Sequence, residues 1–263
     1  MLPNYRVLVT APSKRHLDPI LAKIWYQMNF LNSETETAFK RVRMNINTNL
    51  HKRASKKDKR GDEFGHMSEV EGVIADSADK IRGDRVERLL FEEAGVDPDL
   101  KKKYLQGEAL ITVMGGDRVG TRIAWGTGGS SGENVQGLRD LVNNPSAFNI
   151  LPVRHNFTAD KQYVLTAMFI PAYRIVTDKK ANLVDSRGWC DRDAATEYYQ
   201  NIRKLKTNDP NGLLIYEAEY CFTIEEALLL QGGHVFPRQE LAEQSAQLEV
   251  YKTVTLPKAG YLT

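Results

Sequence analysis

Two adjacent carboxylates, Glu92 and Glu93, follow the short apolar run Leu89-Leu90-Phe91 and precede Ala94-Gly95. A run of that length reads as a strand buried on both faces. Such a strand would deliver the acids to the carboxyl edge of a sheet, where open α/β sheets bind ligands. One acid of the pair can hold a hydrated magnesium ion while the second polarises a water. The same residues also suit a strand that runs into an acidic helix start, where carboxylates complement the helix dipole. These residues leave both readings open.

Other groups that could act on phosphates flank the pair. Arg82 and Arg85 lie just before it, with Gly83 between them as a tight turn. Arginine beside a nucleotide can stabilise charge on a transferring phosphoryl, in cis or from a neighbouring subunit. A surface arginine paired with Asp79 or Asp84 is the plainer alternative. Beyond the pair, the run 122–125 (RIAW) reads as a strand that ends in Gly126-Thr127-Gly128-Gly129-Ser130-Ser131. Glycines there let backbone approach a ligand closely, and the hydroxyls could sense a terminal phosphate. An ordinary loop would look the same. Gly115 and Gly120 are spaced as in a phosphate loop, but Thr121 stands where the phosphate-binding lysine should be. That stretch is rejected as a Walker A motif and read as a turn. Residues 51–63 (HKRASKKDKRGDE) form a dense basic run without apolar period. It suits contact with a phosphate backbone, or simply a solvated loop.

Elements must position these groups. Residues 5–11 (YRVLVTA) read as a parallel strand closed by Pro12. Ser13 can cap a helix that carries Leu17, Ile20, Leu21, Ile24, Trp25 and Met28 on one face. Residues 41–47 alternate like a strand, and 70–75 (VEGVIA) look like a short one. Helices are expected over about 97–106 and 133–143, the latter stopped by Asn144-Pro145. Residues 161–170 are strand-like. Residues 191–206 read as a helix packing through Ala194, Ala195, Tyr198, Ile202 and Leu205, and Asp209-Pro210-Asn211-Gly212 as a turn. A short helix over 224–230 stops at Gly232-Gly233, and a further helix over 238–248 leads to a tail.

The bulk numbers bound the rest. The 263 residues carry 36 basic and 34 acidic side chains, net +2, so any argument for nucleic acid must be local. Two cysteines, Cys190 and Cys221, are too few for a disulfide scaffold or a zinc site and fit a reducing compartment. No apolar run approaches a membrane span. The five histidines are scattered, with no metal-ligand spacing on one element.

The order of these motifs resembles the large subunit of tailed-bacteriophage terminase, the motor that packages DNA into capsids. The resemblance rests on IRGDR at 81–85, LLFEEAG at 89–95 and RIAWGTGGSSG at 122–132. VLVTAPSKRHLD at 7–18 looks like that family's strand after the P-loop helix. GWCDRDAATEYYQNIRK at 188–204 is similar to the helical region beyond its ATPase core. YEAEYCFTIEEALLL at 216–230, with HVFPRQEL at 234–241, looks like its closing segment ahead of the nuclease.

The resemblance implies an α/β fold with a mostly parallel sheet of P-loop ATPase type, helices on both faces and a small helical subdomain. Residues 1–155 would be a partial ATPase core, 156–248 the rest of that domain with the helical subdomain, and 249–263 a tail toward a nuclease. Glu92 would be the Walker B acid that holds Mg2+ through water, although the family often has Asp there. Glu93 would be the catalytic carboxylate and Arg82 an arginine finger. Gly126, Thr127, Gly128 and Gly129 would form the motif coupling hydrolysis to movement. ATP and Mg2+ would be the cofactors. Double-stranded DNA, the terminase small subunit, the portal protein and further copies in a ring would be the partners, with no membrane. The location implied is the host cytoplasm, transiently at the procapsid. No GxxxxGK[ST] occurs in the sequence. The strand expected after a P-loop starts almost at Met1, so the P-loop and the nuclease are expected outside this chain. The competing expectation is a non-enzymatic, terminase-like module that binds DNA or a motor partner.

Overall fold

The computed structural model describes residues 4–34, 43–45, 51–57, 59–81, 85–113, 116–128, 135–176, 183–187 and 189–228. The chain divides into two compact units, the first made of Met1–Gly128 with Asn134–Pro152, the second of Gly129–Glu133 with Val153–Thr263.

The first unit is built on β1 (Arg6–Ala11). Leu8 faces one side of the strand, where it joins Leu89, Phe91, Leu100 and Tyr104. Val7, Val9 and Ala11 face the other, against Leu17 and Leu21. That alternation is the period of two a strand imposes. Pro12 closes the strand, and the Ser13 carbonyl accepts the first bonds of α1 (Lys14–Glu34), from the N–H groups of His16 and Leu17. Three strands follow, β2 (Arg43–Asn45), β3 (His51–Lys57) and β4 (Glu63–Ile74). After them come β5 (Arg88–Phe91), α2 (Leu100–Gln106), β6 (Thr121–Ala124) and α3 (Val135–Asn143).

The six strands lie in the order β2-β3-β4-β1-β5-β6. β4, β1, β5 and β6 run parallel, and β3 and β2 extend the sheet antiparallel. The fold is therefore α/β, with α1 on one face and α2 and α3 on the other. The chain passes from β1 to β4 on one side and then returns to β5 on the other side of β1. The order reverses there, so the carboxyl ends of β1 and β5 form a topological switch point, where ligands of such sheets bind. β5 lies between two parallel neighbours, and its Leu89 and Phe91 are almost fully buried. Burying each contributes about 1.5–3 kcal/mol. No helix among the described residues is long and apolar enough to cross a membrane.

Several expectations are corrected. The basic run does not make a loop through residues 51–57: it is β3, between β2 and β4. Its register sets Arg53 opposite Glu69 and Lys57 opposite Glu63. The short strand expected over 70–75 belongs to the 12-residue β4. The helix expected from 97 starts at Leu100, because Pro98 disfavours a helical Asp97.

In the second unit, β7 (Val153–His155) and β8 (Val164–Thr166) pair antiparallel, so only three residues of the expected 161–170 strand are sheet. α4 (Arg192–Leu205) packs through Ala195 and Tyr199. Tyr198 and Leu205 are 40% and 83% exposed, contrary to the expected face. The contacts of Tyr199 with Tyr220 and Phe222 turn that ring inward instead. The expected turn at Asp209 is the start of α5 (Pro210–Glu219): the Asp209 carboxylate accepts from the Gly212 N–H, and Pro210 opens the first turn. α6 (Ile224–Ala227) is capped by Thr223. Both cysteines are free, and burial pushes the Cys221 thiol up to about 11, which keeps it unreactive. The segment beyond residue 228, with its expected helix and tail, lies outside the described residues.

Candidate active site

β5 delivers its acids between two neighbours. The Glu92 N–H donates to the Thr10 carbonyl at the end of β1, at 2.8 Å. The Ala94 N–H donates to the Trp125 carbonyl after β6, at 2.9 Å, and the Trp125 N–H donates to the Phe91 carbonyl at 3.1 Å. Glu93, between these two anchor points, adopts the left-handed conformation with φ 51° and ψ 49°. For a residue with a Cβ this costs roughly 1–2 kcal/mol. Such outliers persist where the surroundings over-determine them, and they cluster at functional sites.

Two glycines supply that over-determination. A Cβ on Gly95 would run into the Thr127 carbonyl oxygen and lie 2.8 Å from the Thr127 carbonyl carbon. A Cβ on Gly126 would lie 2.7 Å from the Ala94 nitrogen and 3.0 Å from the Glu93 carbonyl carbon. The loop after β5 and the loop after β6 thus pack backbone on backbone, and each needs a glycine for the other to fit. Thr127 is exposed at this junction, and Gly128 beside it is buried.

The electrostatics single out Glu92. Burial, and then the charge of Glu93, push its carboxyl above the ordinary carboxylate value. A hydrogen bond from Trp125 and the nearby charges of Lys23 and His16 oppose that shift without cancelling it. The Glu92 Oε2 atom is buried and has no hydrogen-bond partner. An orphaned, desolvated carboxylate oxygen is a costly group unless a ligand completes it. It is a hard oxygen donor, the kind magnesium takes. No group of three or more His, Cys, Asp or Glu side chains suited to a metal occurs among the described residues. A cation held here would therefore draw most of its shell from water and phosphate oxygens, which is how magnesium is commonly held. To that extent the residues fit the ion.

Of the residues singled out in the sequence, Glu92, Glu93, Gly126, Thr127 and Gly128 come together. Arg82 and Gly129 lie outside the described residues. Arg85 is exposed, and its carbonyl accepts from Arg6 Nη1 at 3.5 Å. Arg122 is buried in a structural role: it donates to the Tyr104 carbonyl, pairs with Glu108 and covers the Tyr104 ring at 4.1 Å. Sequence reasoning missed His16, Lys23 and Trp125 as neighbours of Glu92. Trp125 was the more findable, since it ends the strand ahead of the glycine loop. Nothing in a lone His or Lys on a helix pointed to this place. Compared with protein-family models, with curated proteins and with solved structures, the chain matches none.

Proposed function

We propose that the first unit is the ATPase-core portion of a DNA-packaging motor of the terminase large-subunit type. The observation that carries the reading is the interlock of Gly95 with Thr127 and of Gly126 with Ala94. It makes the acid pair and the glycine loop one assembly at the carboxyl end of a parallel sheet, where phosphoryl chemistry on such sheets is sited. The order of motifs along the chain supports the same family.

In this reading Glu92 Oε2 would hold Mg2+ through a water, and the ion would supply charge neutralisation for the phosphates of ATP. Glu93 orients the attacking water from a backbone position fixed by Ala94 and Gly126. The exposed Thr127 hydroxyl meets the terminal phosphate, and Arg82 acts as a finger toward a neighbouring copy. The sequence holds no GxxxxGK[ST], so a phosphate cradle comes from another segment. Double-stranded DNA, the portal protein and the terminase small subunit are the partners of such a motor. Its place of work is the host cytoplasm and the procapsid.

The test is ATP turnover by this chain mixed with a P-loop-bearing polypeptide, with and without duplex DNA. Turnover that needs both chains and falls about 10²–10⁴-fold in Glu93→Gln is expected, the usual range for losing a positioned acid–base group. Turnover unaffected by Glu93→Gln rejects the reading. A second reading, a non-enzymatic DNA- or motor-binding module, draws on the basic positions of β3, which stand on a paired strand. Salt-dependent DNA binding, with no turnover and no response to Glu93→Gln, would select it.

A further inference from the structure

Lys103 on α2 is 1% exposed, yet it carries an ammonium group. Its Nζ donates to Asp97 Oδ1 at 2.6 Å, to Asp97 Oδ2 at 2.8 Å and to the Ala75 carbonyl at 2.5 Å. Asp97 is itself 4% exposed and also accepts from the Asp99 N–H at 3.0 Å. A buried ammonium is tolerated when it is paired and fully hydrogen-bonded, as here.

The anchor points of this ion pair are specific. Asp97 caps the 3-10 turn Ala94–Val96, which begins at Glu93. The Val96 N–H donates back to the Glu93 carbonyl at 3.1 Å. Ala75 ends the β4 ladder, where its N–H donates to the Ala11 carbonyl at 3.0 Å. It leads into the 3-10 turn Ala78–Ile81, immediately before Arg82 in the sequence. One ammonium therefore joins the segment that carries the acid pair to the segment that precedes Arg82 in the sequence. Its hydrogen bonds go to Asp97 and Ala75 rather than to the acid pair.

We propose that Lys103 and Asp97 are positioning residues for the acid pair. The buried pair bolts the turn after Glu93 to the end of β4, and so maintains the left-handed Glu93 against relaxation. A hydrophobic pair of similar volume would fill the space as well. It would not fix the turn at two points. The inference rests on the ATPase reading only for its kinetic consequence; its structural part is tested separately.

The experiment uses the full chain carrying both Asp97→Asn and Lys103→Met, which removes both charges and keeps an acceptor for the Asp99 N–H. Hydrogen exchange is followed at the Ala94 and Val96 amides and across β1 and β5. The expected result is exchange at least tenfold faster at Ala94 and Val96, with β1 and β5 unchanged. Unchanged protection at Ala94 and Val96 overturns the proposal. If the double variant does not fold, Asp97→Asn with Lys103→Gln, an uncharged pair that leaves a donor for the Ala75 carbonyl, supports the same comparison. Turnover with a P-loop-bearing polypeptide then separates the two claims. A parent without turnover sinks the ATPase reading and leaves exchange to judge the bolt. A parent with turnover should lose at least tenfold in kcat, with KM held, in the double variant. An unchanged kcat overturns the positioning role.

Discussion

Burial and the adjacent Glu93 both hold the Glu92 carboxyl above its ordinary value of 4.5. The folded chain thus binds this proton more tightly than the unfolded chain does. The associated stability is present at low pH and is lost as pH rises from 4.5 through the raised folded value. Above that window the folded protein carries the full penalty of a desolvated charge. Glu92→Gln removes the charge and keeps an acceptor for Trp125. Its melting temperature should exceed the parent's above the window and approach it below pH 4.5, in thermal scans across pH. The same change removes the ligand proposed for Mg2+, so added stability should come with lost turnover. A Glu92→Gln protein no more stable at pH 8 than its parent would contradict the desolvation argument. The acid pair itself was legible, because two carboxylates after three apolar residues leave few placements in a sheet. The left-handed Glu93 was not, since only its neighbours in space enforce it.

At the scale of elements, the loops after β5 and β6 are fitted to each other through Gly95 and Gly126. Gly126→Ala inserts a methyl 2.7 Å from the Ala94 nitrogen. Overpacking of this kind costs about 1–3 kcal/mol. Denaturant unfolding should report that loss. In the second unit, His155 Nδ1 accepts from the Phe157 N–H, which leaves Nε2 to donate to Thr166 Oγ1 at 2.8 Å. The bond accepted at Nδ1 requires the neutral ring, because a protonated Nδ1 can only donate. Burial lowers the His155 value below 6.5, while the charge of Glu225 acts against that shift. Stability from this ring is present above pH 6.5 and is lost as pH falls through the lowered value. Thermal scans at pH 5 and 7.5 should show acid destabilisation that His155→Gln flattens. Strand and helix periods made β1, α1 and β5 readable. β3 was missed because its seven residues show no apolar alternation, and pairing with β4 decides their conformation. The α5 start was missed because Asp-Pro-Asn-Gly suits a turn and a capped helix equally.

For the whole molecule, a net charge of +2 on 263 residues gave no direction toward a partner. What the sequence did convey was the order of motifs, and a parallel sheet converts that order into proximity at one edge. The central claim is that the acid pair and the glycine loop work as one assembly. A double-mutant cycle on ATP turnover tests it most directly, with Glu93→Gln, Thr127→Ala and the two combined, each mixed with a P-loop-bearing polypeptide. Residues acting as a unit are strongly non-additive. The prediction is that the double variant is no slower than Glu93→Gln alone. Losses that simply add, or a Thr127→Ala variant as fast as its parent, would contradict it.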